Sequence, residues 1–177
     1  LIQRAVLDIV EYDYQTRTEM VQLDRRMPFC VMSYLKRGEA LLRIQGKEYQ
    51  CRGGDAIFVP PNIKHDHVKT SKEETEFLWW HFNFRTAYNI DVLSFVKLPY
   101  KVHMENSSEF EQKFFDYMEA IQNEKTIADM IYKNAKALEV LACIFDSFLK
   151  SEKTQPAPDI PEVFMDIFDD ISRMPTA

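Results

Sequence analysis

The chain has 177 residues, of which 46% are hydrophobic and 13% aromatic. This length suits roughly one domain, or one domain with an appendage, and no apolar run is long enough to span a bilayer. The formal net charge of −6 makes this part of the protein a poor nucleic-acid binder by itself.

The first hundred residues are predicted to form short strands that are separated by turns. Apolar and polar residues alternate over 18–23 and 29–35, and the runs 40–44 and 56–59 have the composition of buried strands. A long aromatic strand is predicted over 76–84. Short strands at regular spacing, with turn signals between them, favour an all-β sandwich or barrel.

Two amphipathic helices are predicted after Asn106. The segment 108–111 has the sequence of a capping box, and a second start signal stands at 126–129. Behind it, apolar residues recur at spacings of four and three, which is typical of a heptad seam. A helix that packs only on its own barrel would show much the same pattern. We expect this seam to be a dimer interface formed by Ile127, Ile131, Asn134, Leu138, Leu141, Phe145 and Phe148.

These patterns divide the chain into three regions. Residues 1–104 are predicted to form the barrel and residues 105–152 a helical dimerisation region. Residues 153–177 are predicted to be a linker, rich in proline at first, and the start of a truncated C-terminal module with a third helix from Asp159 to about Ser172.

The three cysteines, Cys30, Cys51 and Cys143, show no metal-ligand spacing. Two of them lie in apolar runs, so reduced, buried thiols in a cytoplasmic protein are the favoured interpretation. One disulfide and one free thiol are the alternative.

The segment 46–65 resembles the second conserved motif of the cupin barrels. Gly54, Pro60 and His65 stand at the motif positions, and Asn62 replaces a usual glycine, which suits a residue type that tolerates positive φ. The resemblance implies a double-stranded β-helix, or jelly-roll, barrel. We therefore predict an α+β, mainly β fold: a cupin-like barrel followed by an antiparallel helical pair.

The cupin metal site is not reproduced in this sequence. The last Glu of the first cupin motif corresponds to Glu39, but the expected His-x-His pair before it is missing. Its two positions hold Met32 or Ser33, and Tyr34 or Leu35. His65 and Glu39 alone are too few to hold a metal against water, so we expect no metal and no cofactor.

A barrel without metal ligands can still take a small molecule in its interior. His65 and His67 share one face of a strand, and Trp79 and His81 share one face of the aromatic strand. Each histidine alone has an ordinary structural explanation. Together with Trp79, which offers a stacking surface for a sugar ring, they indicate a ligand-binding face, and Trp80 is predicted to belong to the core.

The run 46–65, the strand Trp79–Phe82 and the two helices together resemble the N-terminal regulatory domain of the AraC family of bacterial transcription factors. The resemblance implies that the barrel binds an effector, often a sugar, and that the helical pair forms a homodimer. It also implies that DNA is bound only through a C-terminal module with two helix-turn-helix motifs, which is missing from this chain. Effector-contacting positions of the family fall on His67, Trp79 and His81. An arginine in an earlier strand corresponds to Arg25 or Arg26.

From these residues we predict a cytoplasmic, ligand-sensing and dimerisation domain of an AraC-type regulator, with no catalytic residues and no membrane partner. The alternative is a metal-dependent cupin enzyme, such as a sugar isomerase or a dioxygenase, in which His67 and His81 would form an unrecognised site. The predicted ligand-binding residues are His67, Trp79, His81, Arg26, His65, Tyr34, Met32 and Glu39.

Overall fold

The computed structural model describes residues 5–86, 89–151 and 153–156. The predicted third helix, and the linker after residue 156, lie outside these ranges. A 3₁₀ turn spans Val92–Phe95, and the two α-helices are α1 (Ser107–Gln122) and α2 (Ile127–Leu149). The strands of the described ranges are β1 (Ala5–Arg17), β2 (Val21–Arg25), β3 (Cys30–Arg37), β4 (Glu39–Ile44), β5 (Lys47–Arg52), β6 (Asp55–Val59), β7 (His65–Lys69), β8 (Thr75–Thr86), β9 (Val96–Lys97), β10 (Lys101–His103) and β11 (Gln155–Pro156).

Two antiparallel sheets form the barrel. A five-stranded sheet has the order β1-β8-β3-β6-β10, and a four-stranded sheet has the order β2-β7-β4-β5. Their facing sides share one apolar cluster, which includes Val31 and Phe77 from the first sheet and Leu42 and Ile44 from the second. The predicted cupin-like barrel with a helical pair behind it is thereby confirmed.

The helical pair covers the outer face of the five-stranded sheet. Salt bridges join Lys133 to Glu124 at 2.6 Å and Lys136 to Asp116 at 3.8 Å, so α1 and α2 run antiparallel. A second apolar cluster joins sheet and helices, and its largest buried members are Tyr34, Trp80, Phe82, Phe110, Phe114 and Phe148. Each such side chain contributes about 1.5–3 kcal/mol when it is fully buried.

Strand β1 was missed by the sequence analysis, which began its first strand at residue 18. The strand is 13 residues long and pairs with β8 along nearly its whole length. Its register shifts between Ile9 and Glu11. A bulge of this kind reverses which residues point to which face, so the period-two pattern that identifies a strand is interrupted.

The Gly-Gly-Asp turn has a structural role. Gly54 has φ 90°, and the buried carboxylate of Asp55 accepts hydrogen bonds from the Arg52 amide at 3.0 Å, from His103 Nδ1 at 2.8 Å and from Lys101 Nζ at 3.0 Å. Burial alone would raise the pKa of Asp55, but these three donors together hold it below its ordinary value. The turn thus fastens β6 to β10.

The two predicted helix starts had different outcomes. The capping box of Thr126 and Asp129 is present, with the Thr126 amide donating to Asp129 Oδ2 at 2.9 Å and the Asp129 amide donating to Thr126 Oγ1 at 3.2 Å. The box predicted at 108–111 is wrong, because α1 begins at Ser107 after Asn106. Glu111 instead accepts a hydrogen bond from the Tyr34 hydroxyl at 2.8 Å.

The predicted heptad seam is divided between two environments. Leu141, Phe145 and Phe148 are buried against the sheet and so are unavailable to a partner. The N-terminal half of the seam is open: Asn134 is exposed, and Ile127, Ile131 and Leu138 are 75%, 63% and 48% exposed. The single apolar stripe therefore serves the barrel at one end and leaves an uncovered apolar surface at the other.

All three cysteines are free and buried, which agrees with the reduced-thiol interpretation. Across the described part of the chain, neither helix has the length and apolar character that a membrane crossing requires.

Candidate functional site

A cavity of about 150 Å³ opens between the two sheets. Its walls come from β1, β2, β3, β7 and β8, together with the loop between β1 and β2. The apolar lining residues are Met20, Val31, Phe77 and Trp79. The polar and charged ones are Glu11, Gln15, Arg17, Gln22, Arg25, Ser33, His67 and His81.

His81 lies at the centre of this wall and is 2% exposed. Its ring is flanked by Phe29, with ring centroids 4.9 Å apart, and by Trp79 at 4.8 Å. Arg25 Nη2 lies 3.3 Å from Nε2 and Glu11 Oε2 lies 3.1 Å from Nδ1. Because a guanidinium only donates, Nε2 accepts and Nδ1 carries the proton that it donates to Glu11. Burial, and next the nearby guanidinium, lower the pKa of His81, which favours this neutral form.

Arg25 brings a positive charge to the cavity. Its Nη1 donates to Gln22 Oε1 at 2.7 Å and its Nη2 to His81. The side chain is half-buried, and this burial lowers the pKa of the guanidinium, opposed by the charge of Glu11. Among the described residues no carboxylate forms an ion pair with it.

Two further polar side chains face the cavity without a protein partner. His67 is 8% exposed and lies edge-on to Phe77, with ring centroids 5.5 Å apart. Burial, with smaller effects of His65 and Arg25, lowers its pKa to about 4, so the ring is neutral at pH 7. Ser33 is 6% exposed. Within the described residues neither the His67 ring nor the Ser33 hydroxyl makes a hydrogen bond.

Three of the predicted ligand-binding residues are brought together. His67, Trp79 and His81 all line the cavity. His65 is buried on β7 and pairs with Arg25 of β2. Its Nδ1 donates to the Ile63 carbonyl at 3.0 Å. His65 is not part of the lining of this cavity and instead lines a surface groove.

The arginine assignment needs a correction. Arg25 lines the cavity, whereas Arg26 is exposed and lies beside a separate surface groove with Asn62 and Lys64. Arg25 is the last residue of β2, whereas Arg26 comes directly after the strand.

Met32 and Tyr34 were placed on the wrong face of β3. Both belong to the cluster that packs on the helices, and the Tyr34 hydroxyl donates to Glu111. The inward residues are Val31 and Ser33 instead. Because β3 is buried on both faces, both alternating sets are mainly apolar and the pattern does not tell inside from outside.

Glu39 also lies outside the cavity. It is the exposed first residue of β4, and its contact with the protein is made by its backbone carbonyl, which accepts from the Thr70 amide at 3.0 Å.

β1 contributes Glu11, Gln15 and Arg17 to the cavity, and none of these was predicted from the sequence. No signal for them was available, since the strand itself was not predicted. Ser33 shares one face of β3 with Val31, but alternation alone does not show that this face is the inward one.

The residues present do not fit a bound metal. In residues 5–86, 89–151 and 153–156, no group of three His, Cys, Asp or Glu side chains is placed to hold one ion. Both nitrogens of His81 are engaged, His65 Nδ1 is bound to a carbonyl, and Glu39 is remote.

Comparison with known proteins gives one family. The family model described as the AraC-like ligand binding domain matches residues 20–141. No curated protein matches the chain significantly.

Solved structures with a similar local fold have low identity. A cupin superfamily protein from Desulfitobacterium hafniense DCB-2 is 12% identical, with 45% of this chain and 77% of that chain covered and a TM-score of 0.33. KdgF from Halomonas sp. is 15% identical, with 45% and 79% covered and a TM-score of 0.33. The protein YhaK from Escherichia coli is 14% identical, with 56% and 44% covered and a TM-score of 0.42. Likeness at this level says nothing about what this chain does.

Proposed function

The chain belongs to the family of AraC-like ligand binding domains, and from that premise we propose that it is the effector-sensing and dimerisation domain of an AraC-type transcriptional regulator. As a member of this family it is a ligand-sensing, cupin-like domain. The effector, the dimer and the regulatory role are the parts that we propose.

The observation that carries the proposal is the cavity beside Trp79. Its lining combines an indole face with a guanidinium, an imidazole and a hydroxyl. Pockets that bind small molecules have this character, an apolar surface with a few convergent polar groups that fix orientation. The family resemblance favours a sugar, whose ring would stack on Trp79 while its hydroxyl groups bond to His67 and Ser33.

Strand β1 offers a physical link between the effector and the helices. Its second half supplies Glu11 and Gln15 to the cavity. Its first half, Ala5 to Ile9, forms a groove of about 380 Å³ together with Asn134 and Leu138 of α2. An effector that contacts Glu11 would therefore favour one arrangement of β1, the strand that borders the exposed half of the seam.

The proposed dimer uses the exposed half of the seam, with Ile127, Ile131 and Leu138 as its apolar positions. An uncovered apolar surface on a helix is typical of an interaction site. DNA would be bound by a module outside this chain, in the bacterial cytoplasm.

We further propose that the domain is not an enzyme. The rival, a metal-dependent cupin enzyme, gains no support from the donor groups described above. Metal analysis of the purified protein separates the two, because a stoichiometric transition metal that is lost on His65→Ala would support the enzyme.

The experiment that tests the effector proposal is a thermal-shift screen against sugars and small metabolites. A ligand that binds only the native state raises the melting temperature by mass action. A compound that stabilises the wild-type protein, and fails to stabilise a Trp79→Ala variant of normal fold, would support the proposal. A stabilising compound that binds Trp79→Ala equally well would place the effector elsewhere.

A further inference from the structure

We propose that the effector is a small carboxylic acid with hydroxyl groups, and that its carboxylate binds the guanidinium of Arg25. This inference rests on the proposed effector function of the cavity and names the chemical class of the ligand. It begins with the guanidinium of Arg25, to which no carboxylate of the described residues is bound.

The guanidinium of Arg25 is half-buried, and its protein partners are neutral. Nη1 donates to the Gln22 side chain and Nη2 to His81, which is neutral because its Nε2 accepts this bond. Within the described residues no carboxylate pairs with Arg25. Removing a charge from water is costly unless an opposite charge or strong hydrogen bonds compensate. A ligand carboxylate would supply that compensation in the bidentate geometry that guanidinium groups favour.

The formal charge of the lining also favours an anion. Three charged residues line the cavity: Arg17, Arg25 and Glu11. Glu11 is held by His81 and its side chain is 57% exposed, while Arg17 donates to Gln15. With neutral histidines, the lining therefore carries one net positive charge.

Polar groups for the rest of the ligand line the same cavity. His67 and Ser33 are each more than nine-tenths buried as whole residues, and neither side chain makes a hydrogen bond among the described residues. Because both side chains line the cavity and are not bonded to the described residues, their polar atoms are available to a polar guest. Because neutral imidazole and hydroxyl groups both donate and accept, they suit ligand hydroxyls better than a second charge.

The volume of the cavity and its apolar lining complete the description of the ligand. A cavity of about 150 Å³ holds a guest comparable in size to one six-membered ring. Met20 and Trp79 supply the apolar side. A sugar acid or a short hydroxy acid has all the features required: one carboxylate, several hydroxyls and one apolar face.

The test compares matched neutral and acidic compounds. Each neutral member of the panel has its carboxylate counterpart: D-glucose with D-glucuronate and D-gluconate, D-galactose with D-galacturonate, and 1,2-propanediol with lactate. Binding is ranked by thermal shift and then measured by calorimetry. We expect the stabilising compounds to be acids, each binding at least tenfold more tightly than its neutral partner.

Variants of Arg25 then locate the carboxylate. Arg25→Gln is expected to weaken binding of the selected acid about ten- to a hundredfold, the value of a hydrogen-bonded charge pair. Arg25→Lys keeps the positive charge but cannot form two parallel hydrogen bonds with a carboxylate, and it should lose less affinity than Arg25→Gln. The matched control is Arg26→Gln, because Arg26 is adjacent and exposed, and it should bind the acid as the wild type does. Melting temperatures without ligand report whether each variant is folded.

The possible outcomes separate this inference from the function on which it rests. If neutral compounds bind and their acids bind more weakly, the acid proposal is overturned while the effector cavity stands. Acid binding that is unchanged in Arg25→Gln also overturns it. If no compound of either kind binds, the result counts against both proposals.

Discussion

Trp79 and Trp80 are neighbours in sequence and lie on opposite faces of β8, the first beside the cavity and the second against the helices. Adjacent residues of one strand always point to opposite sides. Here the two sides are the proposed binding site and the main core, so substitutions of the two indoles should have separable effects.

Trp79→Ala is expected to remove effector binding and to leave the protein folded. Its side chain is only partly buried, and it contributes a stacking surface to the cavity. Loss of one stacked aromatic contact and its buried area should cost the selected ligand about 2 kcal/mol or more of binding free energy. Calorimetry on the variant checks this, and a retained affinity would remove Trp79 from the site.

Trp80→Ala is expected to lower the free energy of unfolding by about 3–5 kcal/mol, as is usual when a fully buried aromatic is truncated. Trp80→Phe should cost far less. The Trp80 Nε1–H is buried without a partner among the described residues, so phenylalanine removes an unsatisfied donor along with some packing. Urea unfolding of both variants checks the contrast, and equal losses would contradict it.

Stability should fall as the pH drops from about 6.5 to about 4. Burial lowers the pKa of His67 to about 4, against about 6.5 in the unfolded chain, so the unfolded state binds more protons throughout this window. Above pH 6.5 neutral His67 costs the folded state nothing, and by pH 4 the free energy of unfolding has fallen by about 3 kcal/mol. Burial also lowers the pKa of His65 and of His81, so both add to the same loss of stability at low pH.

Urea unfolding at several pH values measures this slope. His67→Gln cannot titrate, so its free energy of unfolding should vary distinctly less between pH 6.5 and 4 than that of the wild type. The comparison at pH 7.5 gives the cost of the substitution itself. A variant with the full wild-type slope would show that His67 is not the titrating group.

The exposed half of the seam should control self-association. Ile131→Glu or Leu138→Glu places a charge on the apolar surface and is expected to convert a dimer to a monomer at micromolar concentration. Tyr132→Glu is the control, since Tyr132 is exposed on the same helix and points about 100° away from Ile131 around the helix axis. Sedimentation velocity measures the three variants, and dimers of undiminished affinity in all of them would exclude this surface as the interface.

Two glycines with positive φ should differ in their tolerance of alanine. Gly46→Ala, at φ 73° with no heavy atom within 4 Å of the added methyl, should cost about 1 kcal/mol from backbone strain alone. Gly38→Ala, at φ 95°, would place the methyl 2.9 Å from Cβ of the buried Thr75. We expect it to cost at least about 1 kcal/mol more. Urea unfolding checks the order, and equal costs would mean that Thr75 moves freely.

The barrel could be predicted because its signals are local. The turn at Gly54 requires a left-handed backbone, and Asn62 has φ 63°, as its place in the motif indicated. The alternation of β8 assigned Trp80 to the core correctly. The start of α2 was predicted from Thr126 and Asp129, which form a capping box within the first turn of the helix.

The errors share a different cause, which is that they depend on tertiary packing. Both faces of β3 are buried, so Tyr34 and Ser33 were equally acceptable as inward residues. The stripe from Ile127 to Phe148 is continuous in sequence, but only its C-terminal half lies over the sheet. Glu11 was invisible because the bulge in β1 breaks the pattern on which strand prediction relies.

The position of β1 at the rim of its sheet affects how this protein can be shortened. Within the described residues β1 pairs only with β8, so a chain beginning at residue 20, where the family match begins, would leave one edge of the twelve-residue, aromatic-rich β8 unpaired. Such edges pair with other chains and promote aggregation. The shortened protein would also have a cavity without Glu11, Gln15 and Arg17, and poor solubility or failed ligand binding in it would result from the missing strand and not from a missing activity.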